Sequence, residues 1–175
     1  MSRRRLLAGL AAVVAVALVY QFALRTKHVA PRLVPTVAIA AIGSGSSAVG
    51  VSAEGAVLPR LSPKHPSLPL LALSKPPPSG HLSGTALAQV RVLAAAPAPL
   101  RPYLKSSRYG QAGVDVELST GVELRFGGEG DTARKWRAAA AVLADPAVTA
   151  LDYVNLSVPG RPGIRGSGHP LPPVP

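Results

Sequence analysis

The pattern of apolar and polar residues is most regular near the C-terminal end of the chain. Val154, Leu156 and Val158 alternate there with polar side chains, which predicts a β-strand over residues 153–158 with one apolar and one polar face. Pro159 follows and ends the strand, because proline cannot continue a ladder of main-chain hydrogen bonds. No strand-like pattern comes later, so the sequence predicts that this is the last strand and that one of its edges is free.

A second alternating pattern predicts a β-hairpin. Apolar residues occupy every second position through 114–118 and again through 122–126, and charged residues fill most of the positions between them. The two runs are separated by Ser119, Thr120 and Gly121, which are residues typical of a tight turn. The charged side chains fall on one face of this hairpin, where solvation is the ordinary explanation for them.

Two stretches carry the spacing of amphipathic helices. In the first, Thr85 is the expected N-cap of a helix that runs to Ala95. In the second, Asp131 is the expected N-cap of a helix that runs to Ala144, and Trp136 begins an apolar side that recurs every three to four residues. Prolines follow both stretches and end the helices.

The rest of the body reads as short strands joined by irregular segments. Residues 36–42, 48–52, 56–58 and 103–109 have strand-like composition, and the proline-rich segment 59–78 cannot hold a ladder. Together these elements predict an α+β fold. We expect a mostly antiparallel β-sheet with two helices packed on one face.

The N-terminal segment predicts a transmembrane helix. Residues 6–24 are almost entirely apolar, and a bilayer crossing takes about 20 such residues. The basic residues 1–5 then form a cytoplasmic N-terminus, and 25–33 form a short linker to an extracytoplasmic body. Two alternatives use the same residues, namely a secretory signal cleaved after Ala17 and a twin-arginine export signal. All three interpretations put the body outside the cytoplasm.

The charge of the chain raises the question of nucleic-acid binding. The net charge is +11 over 175 residues. A nucleic-acid site needs concentrated Lys and Arg with aromatic stacking platforms, whereas the basic residues here are spread singly or in pairs beyond the N-terminus. We therefore expect no nucleic-acid partner. A secreted or anchored basic module that binds nucleic acid or an anionic cell-wall polymer is the alternative function.

No catalytic or cofactor-binding constellation stands out. The absence of cysteine excludes disulfides and thiolate chemistry. The histidines lie apart from one another and from carboxylates at ligand spacing: His28, His65, His81 and His169. The glycine motif at 43–48 precedes a predicted strand, so it lacks the helix that a dinucleotide site requires. We expect no enzyme activity, metal, cofactor or small-molecule substrate, and an envelope enzyme of another kind is the remaining alternative.

Four features in the C-terminal half, in this order and spacing, carry a family resemblance: Gly121, Phe126-Gly127, Lys135-Trp136 and Tyr153-Val154-Asn155-Leu156. They resemble the bacterial cell-division proteins of the FtsQ/DivIB family, especially those of actinobacterial type. Residues 51–59, "VSAEGAVLP", also resemble the strand and turn that open the β domain of this family. Asn155 departs from the family pattern, because an acid is usual there.

The resemblance implies a domain organisation. Residues 34–164 would form the extracytoplasmic β domain, and the proline-rich tail 165–175 is expected to be disordered. The family carries a POTRA domain between the membrane and the β domain, and only 25–33 stand in that place here. The resemblance further implies a single-pass protein of the cell membrane at the division septum.

The resemblance also implies a function. Family members are non-catalytic scaffolds of the divisome that bind the FtsB/DivIC and FtsL proteins by adding a strand to the last strand of the β domain. The residues that would carry this interaction here are those of the predicted last strand and the turn after it: Tyr153, Val154, Asn155, Leu156, Ser157, Val158, Pro159 and Gly160.

Overall fold

The computed structural model describes residues 36–58, 68–73 and 75–173. Within these ranges the strands are β1 (Ala38–Ile42), β2 (Val49–Ser52), β3 (Val57–Leu58), β4 (Leu70–Leu71), β5 (Leu104–Gly110), β6 (Gly113–Leu118), β7 (Glu123–Gly127), β8 (Ala150–Asn155) and β9 (Gly163–Pro170). The helices are α1 (Gly84–Ala94) and α2 (Thr132–Leu143). Short 3-10 turns cover Gly45–Ser47 and Ala98–Tyr103.

The strands form one sheet in the order β3-β2-β1-β4-β5-β6-β7-β8-β9. The pairs β1–β4, β4–β5 and β7–β8 are parallel, and the other neighbours are antiparallel. The described part of the chain is therefore mostly a large mixed β-sheet, and it contains few helices. The predicted fold class, with its mostly antiparallel sheet, was wrong, because three of the neighbouring strand pairs are parallel.

The parallel pairs follow from the connections between strands. Helix α1 lies between β4 and β5, and α2 lies between β7 and β8, so each helix returns the chain to the end of the sheet from which the next strand starts. Alternation along a strand tells which face is buried but carries no information about the direction of its neighbours. The sequence pattern therefore could not distinguish a mixed sheet from an antiparallel one.

The predicted membrane-crossing helix at 6–24 lies outside the described residues, as do the flanking segments 1–5 and 25–33. Neither α1 nor α2 is long and apolar enough to cross a bilayer, and the same holds for every helix in the described ranges.

The hydrophobic core lies between the sheet and the two helices. Helix α1 buries Val90, Val92 and Leu93 in it, and α2 buries Trp136, Ala139 and Leu143. The hairpin predicted from alternation is confirmed: β6 and β7 pair antiparallel, with Val116 opposite Leu124 and Glu117 opposite Glu123. The apolar residues of the two strands and of the turn between them are fully buried: Val114, Val116, Leu118, Val122, Leu124 and Phe126.

The helix starts differ from the predicted ones in detail. Helix α1 begins at Gly84, and its N-cap is Ser83, which lies two residues before the expected N-cap Thr85. Asp131 does occupy the N-cap position of α2, but its backbone is left-handed, with φ of 54°, and its side chain makes no capping hydrogen bond. The hydroxyl of Thr132 instead donates to the carbonyl of Glu129. The loop before α2 is thus fixed by Thr132 rather than by the predicted cap.

Candidate functional site

The predicted docking strand is an interior strand of the sheet. On one side β8 pairs parallel with β7, and Tyr153, Val154 and Asn155 lie opposite residues 123–125. On the other side β8 pairs antiparallel with β9 over residues 163–170. The prediction that this strand has a free edge was therefore wrong, because the chain returns through a turn and occupies that edge itself.

The eight residues predicted to bind a partner divide into two groups. Tyr153, Val154 and Asn155 belong to β8, and Leu156 directly after them is fully buried. Ser157, Val158, Pro159 and Gly160 belong to the turn that leads to β9, where the N–H of Arg161 donates to the carbonyl of Val158 at 2.9 Å. The turn prolines therefore direct the chain into another strand instead of ending the sheet.

The side chains of β8 are committed to packing and to local bonds. Val154 is fully buried on the helix side. On the opposite face the guanidinium carbon of Arg125 lies 3.7 Å from the centroid of the Tyr153 ring. The Asn155 side-chain oxygen accepts a hydrogen bond from the Ser157 N–H at 3.0 Å. Asn155, which stands where the family pattern has an acid, thus closes an Asx turn at the strand end.

Strand β9 is the outermost strand at this end of the sheet, and all eight of its residues are exposed. Residues 163–170 were not predicted as a strand, and 165–175 were expected to be disordered. The expectation of disorder was wrong for residues 165–170, which form most of β9. The sequence did not predict this strand, because an edge strand with both faces in solvent has no apolar alternation. Its glycines and Pro170 are also typical of a linker.

A bulge interrupts the pairing of β9 with β8. Leu151 pairs with His169 and Tyr153 pairs with Arg165, so residues 166–168 lie opposite Asp152 alone. The Asp152 carboxylate accepts a hydrogen bond from the Gly168 N–H at 2.8 Å. Gly166 has a φ of +85°, and a Cβ there would lie 1.8 Å from the Asp152 carboxylate. The bulge thus requires glycine at this position and an acceptor at Asp152.

Two further contacts hold the C-terminal end of β9 and the residues after it. The Tyr103 hydroxyl donates to the carbonyl of Pro173 at 2.8 Å. The His169 ring lies so close to Gly121 that a Cβ at Gly121 would be 2.5 Å from its Nδ1. Because Gly121 in the β6–β7 turn has no side chain, the His169 ring of β9 can pack against it.

The two edges of the sheet differ in how they are covered. At the far edge, β3 is only Val57–Leu58, and the Val57 N–H donates to the carbonyl of Gly80 at 2.8 Å, while Ala56 forms a bridge with His81. At the near edge, no strand in the described part of the chain pairs with the outer side of β9. The long edge open to a partner is therefore that of β9.

A network of charged side chains lies on the sheet face opposite the helices. The ion pairs Lys105–Glu117 (2.7 Å), Arg108–Asp115 (3.4 Å), Arg108–Glu123 (3.1 Å) and Arg125–Glu123 (2.8 Å) run across β5, β6 and β7. They border a shallow cavity of about 250 Å³. Each carboxylate has a cationic partner, so this face is a solvated ion-pair network.

Two carboxylates of this network, Asp115 and Glu117, have pKa shifts in opposite directions. Burial, followed by the negative charge of Glu123, raises the pKa of Asp115 against the lowering effect of Arg108. The hydrogen bond from Lys105 lowers the pKa of Glu117. No group of three or more His, Cys, Asp or Glu side chains in the described ranges is placed to hold a metal ion. His28 and His65 lie outside those ranges.

Lys135 has a buried ionisable side chain, and its hydrogen bonds give it a structural role. Its side chain enters the protein, and its Nζ donates to the carbonyls of Phe126 at 2.8 Å and Gly128 at 2.6 Å. Burial lowers the pKa of Lys135. This arrangement holds the end of β7 against the first turn of α2 and gives a structural reason for the Lys-Trp pair in the sequence.

No known family model matches this chain, and no characterised protein matches it at a significant level.

Proposed function

We propose that the chain is a non-catalytic divisome scaffold of the FtsQ/DivIB type, which acts at the septum and binds FtsB/DivIC-like and FtsL-like partners by strand augmentation. The proposal moves the docking strand from residues 153–158 to β9. The observation that carries it is the outer edge of β9, an eight-residue exposed strand at the end of the sheet. An unpaired edge of this length offers main-chain donors and acceptors to an added strand.

The composition of β9 also supports this use. Its glycines, Gly163, Gly166 and Gly168, leave the edge open to a close main-chain approach. Pro162 precedes the strand and Pro170 ends it, which limits how far an added strand can extend. The bulge at 166–168 twists the edge, and Arg165 adds a charge, both of which discourage indiscriminate edge-to-edge pairing.

The test is a pair of proline substitutions in β9. N–H groups of successive strand residues point alternately to the two sides, so one of Ile164 and Arg165 donates toward β8 and the other toward the outer edge. Proline at the outward position should weaken binding of the extracytoplasmic domain of an FtsB/DivIC-like protein by about tenfold or more, through the loss of an edge donor. Thermal unfolding identifies the outward position as the one whose proline lowers Tm less.

The matched control is Arg165→Ala, which keeps the main chain of β9 and should retain the partner. A fluorescent fusion of the full chain should collect at the division septum, and the outward proline should reduce that signal. Full binding by both proline variants would rule out augmentation at β9. Absence of binding by the unaltered chain to both classes of partner would rule out the scaffold function itself.

A further inference from the structure

A basic and partly apolar surface lies beside the open edge of β9. We call it the turn patch and define it by Arg134, Arg137, Val158, Pro159, Arg161 and Ile164. Arg134 and Arg137 are three residues apart on the exposed side of α2, and with Ala138 and Pro159 they line a shallow depression of about 320 Å³. The depression therefore joins α2 to the turn between β8 and β9.

The register of β9 brings Ile164 to the same side. Ile164 lies directly opposite Val154, and directly opposed residues in an antiparallel pair project to the same face. Val154 belongs to the core beneath the helices, so Ile164 faces the helix side of the sheet, where it is 50% exposed. Val158 in the turn is 61% exposed. Val158 directly precedes Pro159 of the depression, and Ile164 lies on the face of the sheet that the helices cover, which is the face from which α2 presents its arginines.

The arginines of the turn patch differ from four basic residues elsewhere in the domain, whereas they share with Lys75, Arg101 and Arg165 the lack of an ion pair within the described part of the chain. Arg91, Lys105, Arg108 and Arg125 pair with carboxylates. No ion pair within the described residues involves Arg134, Arg137 or Arg161. Like charges three residues apart on a helix repel each other slightly. A carboxylate from outside the domain would remove that repulsion, and the planar guanidinium group suits it geometrically.

The surroundings of these arginines select among anionic ligands. The depression is shallow and its cationic side chains are exposed, which does not suit a small free anion. The turn patch contains no aromatic side chain on which a nucleobase would stack. Exposed Val158 and Ile164 instead suit a peptide that carries both acidic and apolar side chains.

We propose that the turn patch recognises an acidic, partly apolar segment of the partner, adjacent to the strand that the partner adds to β9. This inference rests on the proposed scaffold function and names the chemistry of the partner at that site. Carboxylates of the segment contact Arg134 and Arg137, and an apolar side chain covers Val158 and Ile164. The edge of β9 supplies main-chain bonds, and the turn patch selects the partner by charge.

The experiment measures binding of the full chain to the extracytoplasmic domain of an FtsB/DivIC-like protein. Arg134→Glu and Arg137→Glu are each compared with Lys75→Glu, which changes the net charge equally at an exposed position between β4 and α1. We expect each arginine reversal to weaken binding by about tenfold and Lys75→Glu to leave it nearly unchanged. Since all three side chains are exposed, circular dichroism and Tm should match those of the unaltered chain.

A charge swap tests the contact directly. Replacement of the acidic residues of the partner segment by lysine should restore binding to the Arg134→Glu, Arg137→Glu double variant, and a double-mutant cycle measures the coupling. Equal binding by the arginine variants and Lys75→Glu would overturn the turn patch while leaving the scaffold function intact. Binding of a polyanion such as heparin through Arg134 and Arg137, with partner binding unaffected, would also overturn it. Failure of the unaltered chain to bind any partner would overturn both proposals.

Discussion

The indole Nε1 of Trp136 donates a hydrogen bond to the main-chain carbonyl of Val92 at 2.8 Å, and this bond joins the two helices. Val92 lies in the last turn of α1, where carbonyls lack a partner within the helix. The neighbouring carbonyls of Arg91 and Leu93 accept from Ala95 and Ala96. The Trp136 ring also packs against Phe126, with 4.7 Å between ring centroids. One side chain therefore caps α1, fills the core and covers β7.

Trp136→Phe should lower the free energy of unfolding by about 2–3 kcal/mol, because the Val92 carbonyl becomes a buried unpaired acceptor and some volume is lost. Urea unfolding followed by circular dichroism measures the change, since the only tryptophan is removed. Benzothienylalanine at the same position keeps the ring shape without the N–H. Its cost isolates the hydrogen bond, and a cost near zero would mean that packing alone explains Trp136.

Lys135→Met should lower the free energy of unfolding by about 2–3 kcal/mol, because the carbonyls of Phe126 and Gly128 lose a charged donor. The Lys135 side chain is buried, with 5% of the residue exposed, whereas Arg137 on the same helix is exposed and suits Arg137→Met as the control. That control should cost less than about 0.5 kcal/mol. Similar losses in the two variants would show that the bonds of Lys135 contribute little.

The lowered pKa of Lys135 adds a pH dependence to this comparison. Between the lowered pKa of Lys135 in the folded chain and its ordinary pKa of 10.5, the unfolded chain binds more protons at this lysine than the folded chain does. Its contribution to stability therefore rises with pH through that window and is complete above 10.5. The difference in stability between the unaltered chain and Lys135→Met should increase over the same window in unfolding titrations at successive pH values.

The sequence predicted those parts of the fold that depend on local pattern. The β6–β7 hairpin was predicted because alternation and a glycine turn determine it, and α2 because Trp136, Ala140 and Leu143 recur at helical spacing. The structure buries Trp136 and Leu143 as predicted, with Ala139 rather than Ala140 between them. Parallel pairing was not predicted, since it depends on where distant strands such as β4 are inserted. For the candidate site, the alternation predicted a strand over 153–158, and the structure has it over Ala150–Asn155, so only 153–155 were placed correctly. Strand β9, which has no apolar alternation, was missed.

Asp115 and Glu117 allow opposite pH dependences to be compared within one strand. The raised pKa of Asp115 means that its favourable contribution is complete below 3.8 and is lost as pH rises through the folded pKa. The lowered pKa of Glu117 means that its contribution is present above 4.5 and is lost as pH falls through the folded pKa. The two carboxylates therefore act on stability in opposite directions between acid and neutral pH.

Glu117→Gln should lower the free energy of unfolding by about 0.5 kcal/mol at pH 7 and should match the unaltered chain in acid, where both lack the charge. Asp115→Asn should be most favourable relative to the unaltered chain at neutral pH and least favourable in acid. Urea unfolding of the three proteins at acid and neutral pH provides the measurement. The same direction of change in both variants would contradict the assigned causes of the two pKa shifts.

Asp152 should control how firmly β9 is held, and with it the edge that we propose for the partner. Its carboxylate is the acceptor for the Gly168 N–H across the bulge at 166–168, where the pairing between β8 and β9 is interrupted. Asp152→Ala removes this acceptor, while water can still reach the exposed N–H, so global stability should fall by only about 0.5–1 kcal/mol.

The stronger effect should be local, because few other bonds span the bulge. Hydrogen exchange should become faster at 163–170 with little change in β6 and β7, and Asp152→Asn, which keeps the side-chain oxygen, should preserve most of the protection. Unaltered exchange at 163–170 in Asp152→Ala would mean that the main-chain pairs and the contacts of His169 and Tyr103 hold β9 without help from Asp152.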